Sequence, residues 1–128
     1  MSKEIINTDQ APQPIGPYNQ AVKFGNLLFV SGQIALKENG ESLIGESIDI
    51  ETHQVMKNIK SILQAADLNF DHVIKISIFL KDLSLFNQVN EAYGKYFNTD
   101  TAPARETIEV SELPKKANIE MSIVAGIM

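Results

Sequence analysis

The sequence predicts an α+β fold, a mixed β-sheet covered on one face by two α-helices, and three patterns carry that prediction. Arg105 to Val110 and Asn118 to Ile127 alternate polar and apolar residues, the period of two that a strand with one buried face requires. Two internal stretches repeat apolar residues at intervals of three and four, the period of a helix with a single buried stripe. Two short apolar runs flank Gly25-Asn26, a pair suited to the positive φ angles of a tight hairpin.

In chain order, Glu4 to Ile6 is a short edge strand, and Pro12, Pro14, Gly16 and Pro17 rule out regular structure in the next dozen residues. A loop stiffened by prolines loses less entropy on ordering and suits the holding of one side chain, here Tyr18. Ala21 to Phe24 and Leu27 to Ser31 form the hairpin. Ser31-Gly32 ends its second strand, where a glycine lets a ligand approach the backbone. Lys37 to Ser47 is polar, contains two glycines and reads as an exposed loop.

A helix begins at Asp49, the expected N-cap, with Glu51 favourable in its first turn. Met56, Ile59, Leu63 and Ala66 mark its buried stripe, Val55 and Ile62 widen it, and Lys57, Lys60 and Gln64 face away. Val73 to Leu80 is rich in β-branched and aromatic residues and is expected to be a central strand. Asp82 or Ser84 caps a second helix with Leu85, Phe86, Val89 and Tyr93 at helical spacing, and Asn90 stands beside that stripe. The order is β, β-hairpin, α, β, α, β, β, without repeats or a shift in composition, so residues 1–128 are expected to form one domain.

Composition excludes several classes. Eleven Lys and Arg against sixteen Asp and Glu give a net charge of −5, with the basic residues scattered, which argues against a phosphate-neutralising nucleic-acid surface. The apolar runs are only a few residues long, far short of the roughly 20 that span a bilayer. Met1 to Gln10 is polar and has no signal-peptide core. The absence of cysteine removes disulfides and thiolate chemistry and fits a cytosolic protein. His53 and His72 are not at ligand spacing, so solvated structural roles are expected for them and no metal is.

The chemistry concentrates at the C-terminus. Arg105, Thr107 and Glu109 share one strand face; on the last strand Ile119, Met121, Ile123, Ala125 and Ile127 fall on the apolar side and send Glu120 and Ser122 to the other. Arg105 and Glu120 are therefore both expected away from the core, on the polar face opposite the helices. An arginine fork matches a carboxylate bidentately, and a nearby glutamate can move protons. Spacing alone equally allows a surface ion pair of little energetic weight.

Three separated motifs narrow the choice: A-P-x-x-I-G-P-Y-x-Q at Ala11 to Gln20, S-G-Q-I at Ser31 to Ile34, and P-A-R-E-T-I-E-V-x-x-L-P-x-x-A-x-I-E-M from Pro103 to Met121. In this order, and spread over nearly the whole chain, they resemble the RidA/YjgF family of imine deaminases. The resemblance implies a chorismate-mutase-like homotrimer with sites between subunits, hydrolysing 2-imino acids such as 2-iminopropanoate and 2-iminobutanoate without metal or organic cofactor. It implies that Arg105 anchors the substrate carboxylate and that Glu120 activates water. Tyr18, Ser31, Gly32, Thr107 (through its backbone) and Asn90, which belongs to V-N-x-x-Y, are implied to line the substrate site. Many members carry Ser-Cys where this chain has Glu106-Thr107, and often a proline where it has Ala35. Two other readings stand beside this one: a trimer that binds small carboxylates without turnover, and an enzyme of the chorismate-mutase type, for which a single well-placed arginine is too few.

Overall fold

The computed structural model describes residues 2–127. Eight main elements run in the expected order: β1 (Glu4–Ile6), β2 (Ala21–Phe24), β3 (Leu27–Gln33), α1 (Ile48–Ala65), β4 (Val73–Leu80), α2 (Phe86–Gly94), β5 (Ala104–Glu109) and β6 (Ile119–Gly126). The strands form one sheet in the order β1-β2-β3-β6-β4-β5, antiparallel throughout except for the parallel pair β4 and β5. That parallel pair requires a crossover, which α2 supplies. The hairpin turns at Gly25, whose φ of 62° is the left-handed conformation a glycine adopts without cost.

The core lies between the sheet and α1. Val55, Met56, Ile59, Ile62 and Leu63 pack on the inward residues of the two central strands, Ile76, Ile78 and Leu80 of β4 and Ile119, Met121 and Ile123 of β6. Lys57, Lys60 and Gln64 face solvent, as the periodicity of α1 requires. The N-cap differs from expectation: Ser47, not Asp49, accepts the Ile50 amide, and Asp49 sits in the first turn. A serine two residues upstream satisfies the same free amides, and Asp49 remains favourable at the positive end of the helix. Asp82 caps a short 3-10 turn, Leu83–Leu85, that leads directly into α2.

Three buried polar side chains organise loops rather than chemistry. Glu51, 1% exposed, accepts from the Gly45 amide and from the Asn118 backbone and side-chain amides, tying the loop before α1 to the entry of β6. Asn58 donates to the carbonyls of Ile34 and Leu36 and so fixes the segment after β3. Gln20 donates to the carbonyls of Thr8, Ala11 and Pro12 and accepts from the Thr8 amide. In each case the side chain satisfies backbone groups that no strand or helix can reach.

The sheet face away from the helices is open and divided. Because Leu28 and Val30 point into the core, Leu27 and Phe29 point outward, and across the ladder Ile5 and Phe24 join them. Phe29 is 45% and Phe24 48% exposed, so a contiguous apolar strip lies bare on the single chain. Towards β5 the same face turns polar, with Glu106 bound to Lys75 at 2.8 Å and to Ser77. The Lys75 ammonium, then the Ser77 hydroxyl, hold the Glu106 carboxyl below the usual glutamate range.

Candidate active site

The two groups expected to share a face do not. Arg105 pairs with Ile76, and Thr107 with Ile78, both inward residues of β4, so Arg105 and Thr107 lie on the helix side of the sheet. Glu120 pairs with Phe79 and lies on the open side. The period of two orders residues within a strand, but which parity faces the helices is set by the register with β4. β5 is an edge strand, and at Arg105 its inner face lies against α2, where an arginine fits without entering the core.

Glu120 sits in a cleft on the open face. The cleft, of about 320 Å³, is lined by Tyr18, Gly32, Lys115 and Glu120 together with apolar walls that include Ile15 and Ile34. A β-bulge creates it. Val30 pairs with Ile123 and Gln33 with Met121, so three steps along β3 match two along β6, and the extra residue turns Gly32 outward against Glu120. A Cβ on Gly32 would lie 1.9 Å from Glu120 Oε1 and 2.8 Å from its Cδ. Any side chain at this position would therefore displace the Glu120 carboxylate. Gly32→Ala is expected to leave the fold intact, since the residue stands at a bulge on the open face, but to push the Glu120 carboxylate out of the cleft. Activity should fall at least tenfold with a thermal melt displaced by only a few degrees; unchanged activity would show that the carboxylate's position is immaterial.

Burial pushes the Glu120 carboxyl above its ordinary value of 4.5. Among the described residues no side chain donates to it or pairs with it. A half-buried glutamate whose carboxyl is pushed up by burial holds a proton more readily than a solvated one, which suits it to proton exchange.

Tyr18 reaches the cleft from the proline loop. Its hydroxyl accepts from the Ile15 amide at 3.4 Å, its own amide donates to the Gly16 carbonyl, and the ring remains 50% exposed. The Gln20 network holds this loop in place. Ser31 works in the same support: its hydroxyl donates to the Asn19 carbonyl at 2.6 Å and its amide to the Gln20 carbonyl. Lys115 is a cleft residue that pattern reading missed. It and Lys116 adopt φ angles of 54° and 58°, left-handed backbone that costs a non-glycine residue roughly 1–2 kcal/mol. Proline followed by two lysines carries no turn signature that would have revealed it.

Arg105 has a separate station under α2. Its Nη1 donates to Asn90 Oδ1 at 2.6 Å, and its guanidinium carbon lies 5.4 Å from the centre of the Phe86 ring and 4.9 Å from that of Tyr93. Asn90 is therefore placed against the arginine. Beside it, the Tyr93 hydroxyl and Thr107 Oγ1 are buried without hydrogen-bond partners. Arg105 and Glu120 are separated by two strand spacings and three residue steps, roughly 14 Å between Cα atoms, with the sheet between them. The structure thus brings together Tyr18, Gly32 and Glu120 in one group, with Ser31 supporting their loop, and Arg105, Asn90 and Thr107 in another.

The histidines stand apart from both. His53 Nδ1 shares a hydrogen bond of 2.7 Å with the Tyr96 hydroxyl, and His72 Nδ1 accepts the Asn69 amide in the turn before β4. Among the described residues no group of three or more acidic or histidine side chains is placed to hold a metal ion, and no helix is long and apolar enough to cross a membrane.

The fold and the two groups of side chains define a class of small α+β proteins: six strands under two helices, a cleft holding a half-buried glutamate on the open face and an arginine held against the second helix at the far edge. The family described as endoribonuclease L-PSP matches residues 8–127. A RutC family protein of Pyrococcus abyssi is 48% identical over 126 residues, covering 98% of each chain. The chloroplastic Reactive Intermediate Deaminase A of Arabidopsis thaliana is 42% identical over 125 residues, 98% of this chain and 66% of that protein. The crystal structure of E. coli TdcF with bound serine superposes with a TM-score of 0.90 at 34% identity, covering 98% of this chain and 99% of that one. The chain belongs to this family, the RidA/YjgF family that its motifs resemble.

Proposed function

We propose that the protein hydrolyses 2-imino acids, 2-iminopropanoate and 2-iminobutanoate among them, to 2-keto acids and ammonia, in sites assembled between copies of the chain in a homotrimer. The observation that carries this reading is the division of the candidate groups. In a 2-imino acid the carboxylate carbon is one bond, about 1.5 Å, from the imine carbon. One copy cannot place both its Arg105 and its Glu120 on such a molecule across its own sheet, whereas Arg105 at the sheet edge of one copy can face the open cleft of a neighbour. The bare strip of Ile5, Phe24, Leu27 and Phe29 supplies an apolar surface for that association.

In such a site Arg105 uses Nη1 to hold Asn90 and keeps its remaining N–H donors for the substrate carboxylate. The imine reacts as its protonated form, C=NH2+: Glu120, ionised, takes a proton from water as the oxygen adds to the imine carbon, and the C=N bond becomes single as its electron pair passes to nitrogen. The resulting carbinolamine receives that proton on nitrogen. Its hydroxyl proton then passes to Glu120 as the C–N bond breaks, which leaves the keto acid and ammonia, and the proton on Glu120 departs with ammonia as ammonium. The rise of the Glu120 pKa by burial suits both directions of transfer.

The chloroplastic deaminase relative supports a deaminase, and the serine-bound TdcF structure supports a cleft for small amino-acid-like molecules. A protein that only binds such molecules is the second reading, and one assay separates the two. An imine generated in place from threonine or serine by a dehydratase should yield keto acid faster in the presence of this protein; binding without faster ammonia release would leave a ligand-binding role. Light scattering after size exclusion at micromolar concentration should give three times the chain mass, and a fully active monomer would overturn the shared site.

A further inference from the structure

We propose that Tyr93 and Phe86 are positioning residues that hold the Arg105 guanidinium flat between their rings, so that the edge facing away from Asn90 is presented ready for a carboxylate. The inference rests on the reading that Arg105 grips the substrate carboxylate. An arginine side chain has four rotatable bonds and loses much freedom when fixed, and an edge strand offers little packing to fix it. Here three groups from α2 do so: Asn90 Oδ1 takes Nη1 at 2.6 Å, and the ring centres of Phe86 and Tyr93 lie 5.4 and 4.9 Å from the guanidinium carbon. Both lie within the reach of a cation–π contact.

The spacing explains the clamp. Phe86, Asn90 and Tyr93 stand four and three residues apart, so successive turns of one helix deliver two π faces and one acceptor to the same point. Tyr93 is itself seated, 7% exposed with its ring centre 4.8 Å from that of Phe97. Its hydroxyl has no partner, so the residue offers the arginine its face rather than its oxygen. A guanidinium already clamped pays little further entropy on meeting a ligand.

The test is pyruvate titration by calorimetry together with steady-state rates on 2-iminopropanoate. Tyr93→Leu, which keeps apolar bulk but removes the π face, should weaken pyruvate binding and raise KM by about 3- to 30-fold, with a much smaller change in kcat. Tyr93→Phe, which keeps the ring and discards the unpaired hydroxyl, should restore wild-type KM. In an Arg105→Lys background Tyr93→Leu should change KM less than twofold, since the planar cation is gone. Phe86→Leu, at the less buried start of α2, should act in the same direction and serves if Tyr93→Leu does not fold. Folded Tyr93→Leu or Phe86→Leu protein with unchanged pyruvate affinity and KM, while Arg105→Lys is impaired, would overturn this inference alone. An Arg105→Lys protein that binds pyruvate normally would overturn the carboxylate grip on which it rests. A Tyr93→Phe protein as impaired as Tyr93→Leu would assign the effect to the hydroxyl and also overturn the clamp.

Discussion

Arg105→Ala is expected to fold and to retain activity on 2-iminopropanoate near background, the largest single loss in this protein. Arg105→Lys separates geometry from charge. Lysine keeps the positive charge but replaces two fixed bonds with one mobile one, and a charge-assisted hydrogen bond is worth roughly 1.5–3 kcal/mol. At about 1.4 kcal/mol per factor of ten, catalytic efficiency should fall roughly 10- to 100-fold, and further if the imine carbon loses alignment with the attacking water. Lysine also offers a single ammonium in place of the fork that bonds Asn90 through Nη1 and leaves further N–H donors for the substrate. Among the described residues no carboxylate lies within salt-bridge distance of Arg105, so removing it breaks no ion pair on which the fold depends. An active Arg105→Ala protein, measured beside its thermal melt, would refute the assignment of the carboxylate anchor.

Glu120→Gln should preserve the fold and the association of copies while slowing turnover by about 10²- to 10⁴-fold, the usual range for loss of a general acid–base group. The pH dependence is the sharper signature. Because burial raises the Glu120 pKa, the acidic limb of kcat/KM should lie above 4.5, the ordinary glutamate value, and Glu120→Gln should remove that limb. Stability responds to the same shift with the opposite consequence. A carboxyl whose folded pKa is raised binds its proton more tightly in the native state, so its contribution is most favourable below the unfolded value and declines as pH rises through the folded one. Glu120→Gln should accordingly melt no lower than the parent at pH 7, and any gain should vanish in acid. A variant with unchanged turnover and an intact acidic limb would remove Glu120 from the reaction.

Much of this was legible in the residues. The alternation in Asn118 to Ile127 placed Glu120 opposite the core, and the helical stripe at Met56, Ile59 and Leu63 identified the layer over the sheet, because a strand or a helix has a fixed period and one face must leave water. The motif residues Tyr18, Gly32 and Glu120 do meet in one cleft. Local chemistry was also enough for the Gly25-Asn26 hairpin.

Other features depended on how the strands pack. Alternation states that Arg105 and Thr107 share a face, but not which face; the parallel register with Ile76 and Ile78 of β4 puts them beneath α2, because a strand's parity is meaningful only relative to its neighbour. The bulge between Val30 and Gln33 makes Gly32 meet Glu120, since one inserted residue inverts the direction of the side chains after it and leaves no mark in composition. Gln20, Glu51 and Asn58 read as ordinary polar residues, yet each is buried at 1% exposure on loop backbone distant in sequence. The order of elements, the helical core stripe and the side chains available for chemistry were thus written in local periodicity and residue type. That the arginine and the glutamate stand on opposite faces was settled only in the assembled sheet, because a strand's register is set by hydrogen bonds to other strands rather than by its own residues.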